Sequence, residues 1–221
     1  MARLARLVLA GQAHYVIQRG LGGQVIFAGE HERQLFLALL RESAAAEGVR
    51  LHAYALLDDE VQLLATPEAT NGLSRLMQAV GRRYVSAYNR RHGRSGTLWD
   101  GRFRCSVLEG GTTRLDVLRL IDGQSCEPGV TSASARDGGR ADPALSHPPE
   151  YWQLGNTPFE REAAYRALLA QGLSEARVRT LRHAALGGWA AGLPAFAEQV
   201  QQALQRPARP RAPGRPRRTA A

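Results

Sequence analysis

The sequence predicts an α+β domain, a four-stranded antiparallel sheet with two helices on one face. Three observations carry this expectation. Short apolar runs fit for strands occur at residues 13–18, 50–57, 60–66 and 103–108. Helical periodicity fills two of the gaps between them, at 30–46 and 72–91. The two middle runs are separated only by Asp58 and Asp59, the turn of a hairpin.

AHYVIQ at 13–18 reads as the first strand, and a glycine-rich RGLGGQ turn follows it. In EHERQLFLALLRESAAA at 30–46, Leu35, Phe36, Leu39 and Leu40 share one helical face, and Gly48 marks the end. RLHAYALLDDEVQLLAT at 50–66 is the hairpin. Asn71 is the expected cap of the second helix, where Leu73, Leu76, Met77, Val80 and Tyr84 form one stripe. FRCSVL at 103–108 supplies the fourth strand. The order β-α-β-β-α-β is the ferredoxin-like, split-βαβ arrangement. A helix over 113–122 completes a first domain, residues 1–122. Residues 123–150, rich in Gly, Ser and Pro, read as a linker. Helical stretches at 160–171, 174–187 and 194–205 make 151–205 a helical region, with Thr157 a candidate cap. The Arg/Pro-rich 206–221 lacks apolar periodicity and is expected to be disordered.

The 221 residues are 44% apolar, enough for a substantial core, and carry a net charge of +9. The sequence contains no lysine, so all 29 basic residues are arginine, the better fork for phosphates and base edges. Six of these arginines lie beyond residue 205, leaving the body at +3. An anionic partner is expected. No apolar run approaches the roughly 20 residues of a membrane-spanning helix, and MARLARLVLAG makes a poor signal peptide. Cys105 and Cys126 have neither metal nor disulfide spacing and fit a reducing cytoplasm.

The most concentrated signal is GRRYVSAYNRRHGRSGTLWDGRFR at 81–104. Arg82, Arg83, Arg90, Arg91, Arg94, Arg102 and Arg104 meet a single acid, Asp100, and Tyr84, Tyr88, Trp99 and Phe103 are interleaved. Clustered guanidiniums with aromatics suit a surface that grips phosphates and stacks bases.

This stretch resembles the single-tyrosine HUH transposases, in particular the REP-associated tyrosine transposase branch: a tyrosine, an aromatic–Asn pair, Arg-Arg, then G-x-L-W-x-G-R-F. HAYALL at 52–57 is similar to that family's second strand. RADPALSHPPEYWQLG and REAAYRALL are similar to its C-terminal segment. The resemblance implies the ferredoxin-like fold, a single-stranded or hairpin DNA substrate and, commonly, a homodimer. It also implies a His-hydrophobic-His pair on a central strand that binds a divalent metal. A helix tyrosine would then form a 5′-phosphotyrosine link. Tyr84 is the matching nucleophile, with Tyr88 as fallback; Asn89 is the position for a further helix ligand, but five residues from Tyr84 it faces about 140° away around the axis. The function implied is DNA transposition by cleavage and joining. The alternative is a non-cleaving DNA-binding relative in the cytoplasm, associated with the nucleoid.

The hairpin departs from the family. Glu60 and Gln62 stand where the two histidines belong. Alternate strand residues point the same way, so the pair could hold Mg²⁺ or Mn²⁺ through oxygen, with Asp59 or His52 assisting. The alternative is that no cofactor is held and the two are ordinary polar residues. Tyr84 has its own alternative as a core aromatic, since it shares the stripe of Leu73. His14 and His92 have no partner in the sequence. The tail stretch around Arg215, Gly-Arg-Pro, is similar to part of an AT-hook, which lies in the minor groove, though Pro213 stands where a basic residue usually precedes the glycine; the alternative is a generic basic tail that adds salt-dependent affinity. An RNA-binding protein on the same sheet ranks last, for want of an RNP-like glycine-aromatic strand.

Overall fold

The computed structural model describes residues 6–124, 130–139 and 141–210. Cys126, Arg215 and the AT-hook-like stretch lie outside the described residues. The element order is β1 (His14–Arg19), α1 (Glu30–Ala46), β2 (Val49–Leu57), β3 (Glu60–Pro67), α2 (Gly72–Arg91), β4 (Arg104–Val107), α3 (Thr112–Asp122), α4 (Pro149–Trp152), α5 (Pro158–Gln171), α6 (Glu175–Gly187) and α7 (Pro194–Leu204). The strands form one antiparallel sheet in the order β2-β3-β1-β4. This is the expected α+β arrangement: α1 carries the chain from β1 to β2, and β3 returns between them.

Strand alternation sends side chains to two different cores. Val16, Val61, Leu63 and Ala65 meet Phe36 and Leu40 of α1 and Leu76, Val80 and Tyr84 of α2. Tyr15, Ile17, Ala55 and Leu64 meet Val117 and Ile121 of α3, Tyr165 of α5, and Leu181 and Ala185 of α6. The second face of the sheet is therefore covered as well, which explains why every residue of β3 is buried.

The C-terminal half also seals both sheet edges, which otherwise present unpaired backbone groups. Beside β2, the Leu56 and Ser132 amides donate to the Val130 and Tyr54 carbonyls, and the Ser146 amide donates to Leu51. Beside β4, the Glu109 amide donates to Ala191 and the Ala191 amide to Val107. The segment read as a linker thus extends the sheet. Residues 206–210, read from the sequence as the start of a disordered tail, are among the described residues. Ala208 is fully buried beside Val107, Ala197 and Val200, and its carbonyl accepts from the Ala190 amide. Thr157 caps α5 in a capping box with Glu160, as expected, whereas Asn71 makes no side-chain cap to α2.

Candidate nucleic-acid interface

On β3, Glu60 and Gln62 point to the α3/α6 side, as period 2 requires. Glu60 lies opposite Arg19 of β1 in the strand register. Its Oε1 accepts from Arg182 Nη1 and Gln62 Nε2, both at 2.8 Å. Its Oε2 accepts from Arg182 Nη2 at 2.9 Å and Arg19 Nε at 2.8 Å. The Tyr15 hydroxyl donates to Gln62 Oε1 at 2.6 Å. The acceptor capacity of Glu60 is thus spent inside the protein, and Gln62 Oε1 is engaged by Tyr15.

These residues do not fit a divalent cation. An ion would have to displace charge-assisted bonds from two guanidiniums and then sit beside both positive charges. The candidate helpers are committed elsewhere. His52 is buried, Nδ1 donates to the Ser146 carbonyl at 2.6 Å, and Nε2 faces Thr66 Oγ1 at 2.8 Å. Burial lowers its pKa to about 4. Asp59 is exposed in the turn. No cluster of three or more His, Cys, Asp or Glu capable of holding an ion occurs among the described residues.

Burial pushes the Glu60 carboxyl up, but hydrogen bonds from Arg182 and Arg19 more than offset this and leave it below its usual 4.5. Burial acts the same way on Glu150, and the Arg114 guanidinium with the Gly111 amide likewise wins. Both groups hold protons less tightly folded than unfolded. Their contribution is therefore complete above the unfolded value and is lost as pH falls through the folded one. Urea midpoints should start to fall below about pH 6.5, where the unfolded chain protonates His14, His52 and His147 that burial keeps neutral in the fold, and fall further below 4.5 as Glu60 and Glu150 take up protons. Glu60→Gln should make that fall shallower; a curve as steep as that of the unaltered protein would remove Glu60 from this account.

Tyr84 occupies the other layer. Its ring is fully buried among Phe27, Phe36, Tyr88 and Trp99. Its hydroxyl donates to the Ile26 carbonyl, and burial drives its pKa well above the ordinary phenol. The sheet lies between this hydroxyl and the Glu60/Gln62 face, so the structure does not bring the two together. Tyr88 is also buried and donates to Val25 at 3.2 Å. Asn89 donates to the Gly96 carbonyl. His92 stacks on Tyr88 at 4.2 Å, and His14 is buried between the Gln12 carbonyl and the Leu9 amide. Cys105 is a buried thiol whose pKa burial raises to about 12.

The arginines of 82–104 separate into two groups. Arg83 pairs with Glu42 at 2.8 Å and Arg91 with Glu32 at 3.2 Å. Arg90 lines a small cavity beside Glu32, and Arg94 lies over the Tyr88 ring. Arg82, Arg102 and Arg104 are exposed, form no ion pair with another described residue and, unlike the equally unpaired Arg90, line the two larger grooves. Arg102 and Arg104 line a groove of about 800 Å³ between β4 and the end of α6. Three arginines not anticipated from the sequence, Arg6, Arg19 and Arg206, line it too, against one acid, Asp100. Gly188, in the left-handed region at φ 70°, ends α6 and brings Trp189 to its wall. A second groove of about 700 Å³ runs along α2 to Arg82 and meets the first at Arg6, Gly101, Arg102 and Phe103. Trp99 packs at 6.0 Å from Tyr84 and 6.4 Å from Phe36, with its outer side in this second groove. Such a positive concavity focuses field lines and attracts polyanions.

No family model matches the chain, and no curated protein matches it. Seven solved chains are similar to it. One is a REP-associated tyrosine transposase bound to a REP hairpin; it is 12% identical, with a TM-score of 0.44, covering 55% of this chain and 69% of that one. Another is a candidate transposase from Deinococcus radiodurans R1; it is 22% identical, with a TM-score of 0.39, covering 57% of this chain and 100% of that one.

Proposed function

We propose that the chain is a DNA-binding protein of the transposase type that holds single-stranded or hairpin DNA without cutting it. One observation carries the reading: Arg6, Arg102, Arg104 and Arg206 converge on one groove against a single acid, Asp100, with Arg19, already paired to Glu60, at its edge. Guanidiniums spaced along a groove neutralise successive phosphates and release their counterions. The non-cleaving part is supported by the engaged acceptors of Glu60 and Gln62 and by the inward-facing hydroxyl of Tyr84. A phenol held against a carbonyl and pushed up in pKa is a poor nucleophile. Among the described residues, no helix is long and apolar enough to cross a membrane. A cytoplasmic, nucleoid-associated location belongs to the same proposal.

The test uses end-labelled hairpin and single-stranded oligonucleotides at low salt. Binding should be equal in EDTA, Mg²⁺ and Mn²⁺, and no covalent adduct should survive a denaturing gel. Tyr84→Phe should bind as the unaltered protein does. A metal-dependent adduct that disappears in Tyr84→Phe would instead establish cleavage. Failure to bind any DNA would remove the proposal altogether, and tighter binding to matched RNA would redirect it.

A further inference from the structure

We infer that the groove between α2 and the 99–103 turn is a receptor for one unpaired nucleotide base. The inference rests on the DNA-binding reading and goes further by stating what kind of DNA is taken. The groove's floor is apolar and aromatic, built by Met77, Val85, Trp99 and Phe103. Ser74, Gln78 and Ser86 supply donors and acceptors on the α2 side. No acid lines it. Three guanidiniums stand at its rim, those of Arg6, Arg82 and Arg102. Its volume of about 700 Å³ falls in the range of roughly 300–1,000 Å³ common for small-ligand sites.

This combination matches a nucleotide better than a peptide or a lipid. A base needs a flat apolar wall and a few polar groups for its edge, and its own phosphates need cations directly beside it. The wall is held in place. Trp99 sits on Gly81, where an added Cβ would lie 3.3 Å from the indole nitrogen, so a larger residue there would push the ring back from α2. The Arg6 guanidinium stacks 3.7 Å from the Phe103 ring centre while its Nε donates to the Phe103 carbonyl. That arrangement fixes both the turn and one cation. The junction with the arginine groove gives the strand a path. A base enters the apolar end, and the next phosphates run over Arg102 towards Arg104 and Arg206.

A base can enter only if it has left its stack. Unpaired nucleotides pay least for this, so the site selects single strands and loops over duplex. The experiment compares a single-stranded oligonucleotide, carrying one 2-aminopurine, with a blunt duplex of equal length. The variants are Ser86→Trp, an exposed α2 position whose indole would fill the groove, and Arg83→Ala, which lies outside it. The unaltered chain and Arg83→Ala should prefer the single strand by about tenfold or more and alter the 2-aminopurine emission. In Ser86→Trp that preference should collapse towards one and the emission change should vanish. If Ser86→Trp keeps the preference, or if single strand and duplex bind equally to the unaltered chain, the base receptor is refuted while DNA binding stands. If neither DNA binds to the unaltered chain, the underlying reading fails first.

Discussion

Asp122→Ala should lower the unfolding free energy by about 3–5 kcal/mol, measured by urea denaturation at neutral pH. Asp122 ends α3 in the second core, where a single carboxylate collects three donors. Arg136 Nη1 and the Tyr165 hydroxyl both donate to Oδ2 at 2.6 Å, and the Ser132 hydroxyl donates to Oδ1 at 2.6 Å. Arg136 has no exposed surface at all. Its Nε and Nη2 already lack an acceptor among the described residues. Removing the carboxylate strands a whole guanidinium charge in a low-dielectric core. The same cut releases Ser132, whose side chain accepts from the Tyr54 amide at the β2 edge. The penalty comes from the unpaired charge, so the paired replacement Asp122→Leu with Arg136→Met should recover most of the loss. A cost below about 1 kcal/mol for Asp122→Ala would mean that water reaches Arg136.

The first half of the fold was legible because its signals are local. The short apolar run in AHYVIQ and the Asp58–Asp59 turn mark strands, and the Leu35–Leu40 stripe marks α1 with bounds that match residues 30–46. The second core was not legible. Arg136 and Ser132 lie in a Gly- and Ser-rich stretch whose composition says loop, and nothing nearby reveals that the loop pairs with a sheet edge. The polar face of β3 was partly readable. Antiparallel pairing of β1 with β3 places Arg19 opposite Glu60, and an arginine there could have been suspected of competing with a metal. Arg182, which occupies both Glu60 oxygens, is 122 residues away and carries no local signal. Tyr84 was ambiguous for a physical reason. A helix stripe that contains a tyrosine reads the same whether its hydroxyl reaches solvent or a buried carbonyl, and only the Ile26 contact decides where it points.

The division of the arginines makes the last expectation a sharp one. Alanine at Arg82, Arg102 and Arg104 together should flatten the dependence of log Kobs on log salt by about 2 for single-stranded DNA, at about 0.7 per phosphate lost. At low salt the same triple variant should bind at least tenfold more weakly. Alanine at Arg83 and Arg91 removes as much charge per residue from the same 24-residue stretch, 81–104. Yet these two arginines are paired with Glu42 and Glu32, so a phosphate would gain little that the carboxylates do not already hold. Their double variant should leave the slope within about half a unit. Net charge alone predicts that effects scale with the number of arginines removed, wherever they lie. The groove predicts that position decides. Equal flattening by the two sets, per arginine removed, would reduce the interface to a diffuse cationic surface. All five positions are exposed, so unfolding midpoints should stay close to that of the unaltered chain and keep the comparison one of binding.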